Sequence, residues 1–164
     1  MSSDVLVKFT NVDGESTEDN YKTWIKVESW SHGFTQTGTP TKGAHGPTLG
    51  RANIDDFSFT KMTDKSTTAL AGLCLAGSLI DDVSFVCLDA DGDNNAFEAL
   101  KIELTDVVIT NLSIGGGSGS GSVENVSLSF SKVKYTYDHM DKETSKSSGK
   151  KIFTHDLKTG KTDK

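Results

Sequence analysis

Proline and cysteine are scarce in this chain of 164 residues, which contains two of each. Cys74 and Cys87 lie in apolar runs 13 positions apart, so neither a CxxC redox motif nor a zinc-binding pattern is present. We therefore expect two free, buried thiols that pack as small hydrophobic side chains.

Long apolar runs are also absent. No stretch approaches the roughly 18 consecutive apolar residues that a membrane-spanning helix requires. Residues 1–4 (MSSD) show neither the basic region nor the apolar region of a signal peptide. The sequence thus predicts no direct membrane insertion, no signal peptide and a cytoplasmic location before any assembly.

An excess of positive charge is missing, since 17 basic residues stand against 23 acidic ones and the net charge is −6. This balance argues against binding to nucleic acid or to anionic membrane surfaces. The charge is unevenly spread, because residues 139–164 carry seven lysines against four acidic residues. The net charge is therefore +3 on that segment and −9 on residues 1–138.

Motifs for catalysis are missing as well. No GxSxG motif occurs, and residues 115–122 (GGGSGSGS) lack the lysine and the following helix of a phosphate-binding loop. The adjacent carboxylates at positions 55–56 and 81–82 would point to opposite faces of a strand, where they cannot share a proton. We predict that the chain is not an enzyme.

Metal-ligand patterns are not found either. An EF-hand loop needs glycine at its sixth position and glutamate at its twelfth, whereas counting from Asp89 these are Asn94 and Leu100. The acidic run 89–93 therefore predicts a polar hairpin turn. The histidines, none of which has a metal-ligand spacing, are His32, His45, His139 and His155. We expect neither a metal nor a cofactor.

What the chain does contain is short runs of alternating apolar and polar residues, which is the pattern of strands. These runs lie at about 5–9, 21–34, 51–62, 83–88, 100–114 and 126–137. In the last run the apolar positions change from even numbers, ending at Phe130, to odd numbers, starting at Val133. A strand has a side-chain period of two, so we predict a bulge near Ser131 and Lys132.

One helix is predicted at about 65–76. Asp64 or Ser66 can accept hydrogen bonds from the first-turn amides, and Gly77 suits a left-handed stop. The side chains expected to face the core are Leu70, Leu73 and Cys74.

Two glycine-rich segments interrupt the strands. Residues 35–50 contain four glycines and both prolines, and we predict an extended glycine-rich loop at 36–50. Residues 115–122 have linker composition, but their shortness predicts a hairpin connection rather than a domain boundary.

These elements predict a mainly β fold, an antiparallel two-sheet β-barrel or sandwich with one flanking α-helix. We expect one domain over residues 1–138. Residues 139–164 should form a polar, solvated tail that is no separate domain, with one short strand around 151–154.

Several large apolar side chains are predicted on strand faces opposite the core, and such patches usually mark interfaces. For Trp24 and Trp30, coverage by the helix or a loop is an equally good interpretation. The set is Trp24, Trp30, Phe34, Val107 and Ile109.

Four segments in register resemble the haemolysin-coregulated protein (Hcp) family, the inner tube of the bacterial type VI secretion system. They are residues 12–16 (VDGES), 30–33 (WSHG), 56–67 (DFSFTKMTDKST) and 124–130 (ENVSLSF). The resemblance runs from about residue 4 to residue 138. It implies a two-sheet β-barrel with one helix on its flank and no active site.

The resemblance also implies a function. Family members assemble as hexameric rings that stack into a tube, carry effectors in the lumen and are secreted to the medium or into a target cell. The implied partners are further copies of the chain, a contractile sheath, spike or tip proteins and the effectors. The apolar strand faces would then lie at subunit interfaces.

By the same resemblance, the loop at 36–50 contacts the next ring. The candidate stacking residues are Gln36, Thr39, Pro40, Lys42, His45, Pro47 and Leu49. Ser29 and Ser31 are candidates for the lumen, although the alternation equally allows them to lie under a loop. The alternative function is a monomeric β-sandwich that binds a carbohydrate or another small ligand, and a hydrolase would need a nucleophile and base that the sequence does not display.

Overall fold

The computed structural model describes residues 4–43, 46–91, 95–141, 143–144 and 146–164, and the side chains of residues 39–49 lie outside that description. Within these ranges the chain forms twelve strands and one helix. They are β1 (Val5–Phe9), β2 (Ile25–Val27), β3 (Ser29–Ser31), β4 (Phe34–Gly43), β5 (Gly46–Ile54), β6 (Phe57–Met62), α1 (Thr67–Ala76), β7 (Ile80–Ala90), β8 (Ala96–Gly115), β9 (Val123–Ser129), β10 (Lys132–Asp141), β11 (Lys146–Asp156) and β12 (Thr162–Asp163).

The strands form two layers with antiparallel pairing. One layer has the order β12-β11-β10-β8-β7-β1-β2, and the other has the order β8-β9-β6-β3. The 20-residue strand β8 belongs to both layers. The predicted mainly β sandwich with one helix is confirmed, whereas the sheet of the described residues is not closed into the alternative barrel.

The core lies between the two layers and is rich in phenylalanine. Phe57 of one layer meets Phe85 of the other, with ring centroids 4.2 Å apart, and Phe59 lies 5.2 Å from Phe85. Cys74 and Cys87 are free and only partly buried, and burial raises the pKa of the Cys87 thiol. The prediction that both thiols are free is therefore confirmed, whereas the prediction that they are buried is wrong.

Strand β8 turns a corner at Asp106, where it passes from one layer to the other. Thr105 is opposite Lys132 of β10, and Val108 is opposite Ser129 of β9. Asp106 itself has a left-handed φ of 53°. Such a residue breaks the strict alternation of side chains along the strand.

This corner corrects the predicted placement of Val107 and Ile109. The two side chains are 0% and 2% exposed and belong to the core. Even-numbered residues of β8 point into the core before Asp106, and odd-numbered residues point into it after Asp106, because the corner reverses the alternation. The expectation that they lie on an outer face is wrong, and they are not available for a subunit interface.

A second corner accounts for the parity change in the last strand run. Strand β9 ends at Ser129 and β10 begins at Lys132 in the other layer. Phe130 and Val133 are both buried. The predicted irregularity is therefore present, as a break between two strands.

The helix ends as predicted. Gly77 has a left-handed φ of 61°, and its amide donates to the Cys74 carbonyl. At the other end the predicted side-chain cap is not formed, since neither Asp64 nor Ser66 accepts a hydrogen bond from a first-turn amide, and the Asp64 carboxylate instead accepts a 2.9 Å hydrogen bond from the Ser66 amide. The predicted core stripe is confirmed, since Leu70 is buried and Leu73 and Cys74 pack against the core.

The segment 36–50 is not the predicted loop. Strands β4 and β5 form a two-stranded hairpin that pairs with no other described strand. Proline and glycine are tolerated there because a two-stranded ribbon has an unpaired outer edge on each strand. The irregular pairing at Gln36/Gly38 and Thr39/Gly43 fits the same composition.

The carboxyl-terminal residues are likewise more ordered than the predicted solvated tail with one short strand. Strand β11 has 11 residues and pairs along β10, and the two-residue strand β12 pairs with its other side at the edge of the larger layer. The Leu157 amide then donates to the Ser131 carbonyl at 2.8 Å, which fixes the chain beside the second corner. A strand with mostly exposed side chains needs no apolar alternation, so the sequence carries little signal for β11.

Candidate assembly surfaces

The first surface is a row of hydroxyl groups on the outer face of the smaller layer. Ser29 of β3 contacts Thr60 of β6, with 2.5 Å between the hydroxyl oxygens, and the Ser58 and Ser127 hydroxyls are 3.0 Å apart. Every second residue of β6 and β9 is buried in the core. Because successive side chains of a strand point to opposite faces, the small polar side chains between them point outward.

This hydroxyl face has no charged side chain among the residues that define it, and it forms a shallow depression. The lining side chains that point outward are Ser29, Ser31, Ser58, Thr60, Asn125 and Ser127. Ser29 and Ser31, the predicted lumen residues, are both exposed. Beside it, the Thr110 hydroxyl donates to the Asp56 carboxylate at 2.7 Å. The face can offer hydrogen bonds without offering charge.

The second surface is the β4–β5 hairpin, which contains the predicted stacking residues. Gln36 is exposed on β4. The remaining backbone positions are divided between the two strands, while His45 lies outside the described residues. Those on β4 are Thr39, Pro40 and Lys42, and those on β5 are Pro47 and Leu49.

Two short connections join the hairpin to the sandwich, and they lie side by side. Residues 32–33 link β3 to β4, and residues 55–56 link β5 to β6. The Asp55 amide donates to the Gly33 carbonyl at 3.0 Å, so the connections are hydrogen-bonded to each other.

His32 occupies this junction and is half-buried. Its Nε2 atom is 3.0 Å from the Asp55 carbonyl oxygen and its Nδ1 atom is 2.6 Å from the Tyr135 hydroxyl. Burial lowers the pKa of His32, and the neighbouring Asp55 and Asp56 act in the opposite direction. The imidazole is therefore held mainly in its neutral form.

Aromatic rings surround this histidine. The ring centroids of Phe34, Phe57 and Phe130 lie 4.6, 5.3 and 5.4 Å from that of His32. Tyr135 also stacks on Phe153 of β11 at 4.9 Å. Phe34, the first residue of the hairpin, remains 49% exposed despite these neighbours.

The two tryptophans predicted at an interface are partly covered by the chain itself. Trp30 stacks on Phe57, with centroids 5.5 Å apart and planes 6° apart. Trp24 packs edge-on against Tyr21 at 5.1 Å and covers a small apolar cluster on the outside of the larger layer. Each tryptophan therefore keeps only part of its apolar surface available for contact with a partner.

Sequence reasoning missed the outer face of the helix. Leu75 is 90% exposed, and Leu79, just after the helix, is 63% exposed. No charged residue occurs between Lys65 and Asp81. A helix that is apolar on all sides usually has partners on all sides, and that composition is the signal that could have found this face.

It also missed a buried ion pair. Lys61 and Glu124 are opposite each other on β6 and β9, and their side chains are fully buried and in contact. The Lys61 Nζ atom is also 3.0 Å from an Asp64 carboxylate oxygen. The alternation of Phe57, Phe59 and Lys61 already places this lysine on the core face.

The described residues contain no group of metal-ligating side chains and no helix with the length and apolar character needed to span a membrane. The acidic run at 89–93 joins β7 to β8, with the Asp91 amide donating to the Asn95 carbonyl at 3.0 Å. The predicted turn joins two strands that pair up to Ala90 and Ala96, and its central residues 92–94 lie outside the described ranges.

Comparison with known proteins identifies the family. Residues 6–137 match the family model described as "Type VI secretion system effector, Hcp". The chain is 34% identical over 150 residues to the protein hcp1 of Pseudomonas aeruginosa, which covers 91% of both chains.

Solved structures agree with this match. A structure described as a type six secretion system protein superposes with a TM-score of 0.89 at 25% identity, over 99% of this chain and all of that one. Hcp1 from Salmonella typhimurium gives a TM-score of 0.79 at 27% identity, over 99% of this chain and 100% of that chain. A type VI secretion system effector from Yersinia pestis gives 0.75 at 29%, over 93% of this chain and 99% of that chain. With its sequence and its sandwich both matched over nearly the whole length, the chain belongs to the Hcp family of the type VI secretion system.

Proposed function

We propose that this protein is a tube subunit that forms hexameric rings, stacks them into the inner tube of a type VI secretion system, carries effectors in the lumen and is itself secreted. The observation that carries the proposal is the match to a secretion-system family over residues 6–137. Hcp is a structural family, which confirms the prediction that the chain is not an enzyme.

The hydroxyl face is the surface that we assign to the lumen. Its exposed Ser29 and Ser31 are small and uncharged, and the neighbouring Ser58, Thr60 and Ser127 continue the same chemistry. A lumen with this lining would bind an effector through hydrogen bonds and would hold it weakly enough to release it. Residues 1–138 form the unit that builds the ring wall in this proposal.

The ring contacts are assigned to partly exposed aromatic side chains. Trp24, Trp30 and Phe34 each keep apolar surface that the chain does not cover. A closed ring joins two different patches of each subunit, so these residues need complementary apolar surface on the next copy. The exposed Leu75 and Leu79 provide apolar surface of that kind.

The β4–β5 hairpin is assigned to contact between rings, because the described part of this ribbon pairs with no other strand of its own subunit. Sheath and spike or tip proteins complete the proposed set of partners. The protein would be cytoplasmic before assembly and would leave the cell with the ejected tube.

Negative-stain electron microscopy and analytical ultracentrifugation of the purified protein test this proposal. We expect rings with sixfold symmetry in micrographs and a species about six times the monomer mass of 17.6 kDa. A monomer at every protein concentration, together with unchanged effector secretion after deletion of the gene, would contradict it.

A further inference from the structure

The position of the β4–β5 hairpin relative to the sandwich depends on very few contacts. Within the described residues its strands pair only with each other, and it is attached through the connections 32–33 and 55–56. A ribbon attached in this way is free to change its angle unless side chains at its base prevent it.

His32 is the residue that ties this base to the sandwich. It lies in one connection, contacts the Asp55 carbonyl of the other connection, and reaches Tyr135 on β10. Its ring also packs at 4.6 Å against Phe34, the first residue of the hairpin. One imidazole thus contacts the hairpin, both connections and the larger layer.

The hydrogen bonds determine which nitrogen carries the proton. The Asp55 carbonyl oxygen can only accept, so Nε2 must carry the hydrogen that it donates. Nδ1 of the neutral ring is then an acceptor, and the Tyr135 hydroxyl donates to it at 2.6 Å. Of the two neutral tautomers, only this one makes both bonds.

Protonation would disturb this arrangement. A second hydrogen on Nδ1 would turn that atom from an acceptor into a donor, and the Tyr135 hydroxyl would have to reverse its role. The charged and titratable groups facing His32 are Asp55 and Asp56 on the adjoining connection and Tyr135 on β10. The other ring neighbours, Phe34, Phe57 and Phe130, are uncharged.

We propose that His32 is a proton-sensitive positioning residue, which holds the hairpin at a fixed angle when neutral and loosens it when protonated. The desolvation that lowers the pKa of His32 supports the neutral holding state. A histidine with a lowered pKa in the folded state stabilises it above about pH 6.5, and that contribution is lost as the pH falls below this value. Any effect of this loosening on ring stacking rests on the proposed function, in which the hairpin makes the contact between rings.

Amide hydrogen exchange of the full chain tests the proposal directly. The reporter is the Asp55 amide, which donates to the Gly33 carbonyl across the two connections. The reference is Phe85 in the core strand β7. We expect the protection factor of Asp55, corrected for intrinsic exchange and divided by that of Phe85, to fall about fivefold or more between about pH 7.5 and about pH 5.

Two variants identify the group that titrates. His32→Gln keeps a side-chain donor for the Asp55 carbonyl but cannot be protonated in this range, so the pH dependence should disappear. His139→Gln, at an exposed histidine of β10, is the matched control and should retain the full effect. An unchanged ratio in the natural sequence, or an equal fall in His32→Gln, would overturn the proposal.

A third variant guards against a folding defect in His32→Gln. In Tyr135→Phe the histidine loses the hydroxyl that donates to Nδ1, so its neutral form loses a hydrogen bond. The NMR titration midpoint of His32 should then rise relative to that of the natural sequence, and an unchanged or lower midpoint would contradict the proposed latch. Hydrogen exchange and the NMR titration do not require rings. A failure of this proposal would therefore appear in those two measurements, whereas a failure of the proposed function would appear as missing rings in micrographs at about pH 7.5.

Discussion

At the scale of single residues, the most consequential polar contact in the core is the ion pair between Lys61 and Glu124. Both side chains are fully buried, and the second carboxylate oxygen of Glu124 has no hydrogen-bond partner among the described residues. Removing one partner of such a pair leaves a charge in a medium that solvates it poorly. The pair also ties β6 and β9 to Asp64 at the start of the helix region.

We expect Lys61→Met to lower the free energy of unfolding by about 3–5 kcal/mol, because Glu124 then stays buried without its partner. Chemical denaturation followed by circular dichroism measures this loss. The double variant Lys61→Met, Glu124→Leu removes both charges and should recover much of the lost stability. Equal destabilisation in the single and double variants would show that the pair's charges are not the cause.

Single residues also mark where the sequence pattern misleads. Val107 and Ile109 have the odd parity of an outer face when counted from Ile102, yet both are buried. One residue, Asp106 with its left-handed backbone, reverses the parity. Nothing in the composition of that stretch distinguishes a corner at 106 from a straight strand, whereas the opposite parities of Phe130 and Val133 did reveal the second corner.

At the scale of elements, the hairpin Phe34–Ile54 and strand β11 were the least predictable. Both lie where a strand has a free edge, so neither needs the alternating apolar residues from which strands are predicted. The helix was predicted closely, because its glycine stop and its core stripe are local signals, although the predicted side-chain cap at its start is not formed. Elements that carry a buried apolar pattern or a local capping residue were therefore predictable from the sequence, whereas elements with an unpaired edge were not.

The hairpin offers a test of ring stacking that leaves the sandwich intact. Replacing residues 36–50 with a short glycine-containing turn should preserve rings but prevent tubes, since the ribbon pairs with no other described strand of its own subunit. Electron microscopy of the variant at high protein concentration measures both outcomes. A matched control shortens the exposed connection 116–121, which should leave tubes intact. Tubes of normal length in the first variant would contradict the role assigned to the hairpin.

At the scale of the whole molecule, charge would oppose the proposed ring assembly. The net charge of −6 on each subunit multiplies in a ring, and residues 1–138 alone carry −9. The exposed side chains proposed for the ring contact, Phe34 and Leu75 among them, are apolar. Association should therefore be driven by burial of apolar surface against a net repulsion.

Salt should consequently strengthen the ring. Raising the ionic strength from about 10 mM to about 150 mM shortens the screening length to about 8 Å and weakens repulsion between subunits. We expect the fraction of hexamer at a fixed protein concentration to increase, as measured by analytical ultracentrifugation. Dissociation on adding salt would instead show that ion pairs between subunits hold the ring together.

Family membership was the part of the function that the sequence revealed, through segments such as 12–16 and 124–130 that keep their order along the chain. The surfaces were harder to predict. The exposed face of Ser29 and Ser31 follows from simple alternation, but the junction around His32 combines β3, β5, β10 and β11 across the fold. No local pattern indicates which distant residues will meet there.

The passage of β8 through both layers has a mechanical consequence. A force that slides one layer of the sandwich over the other acts on the side chains packed between the layers. Here the 20 residues of β8 join the layers through continuous backbone, with β10 and β7 bonded along one part and β9 along the other. Sliding would have to bend that strand at Asp106 or break the hydrogen-bond ladders on one side of it. A load applied to one layer would thus reach the other through the backbone of β8 as well as through the packed core.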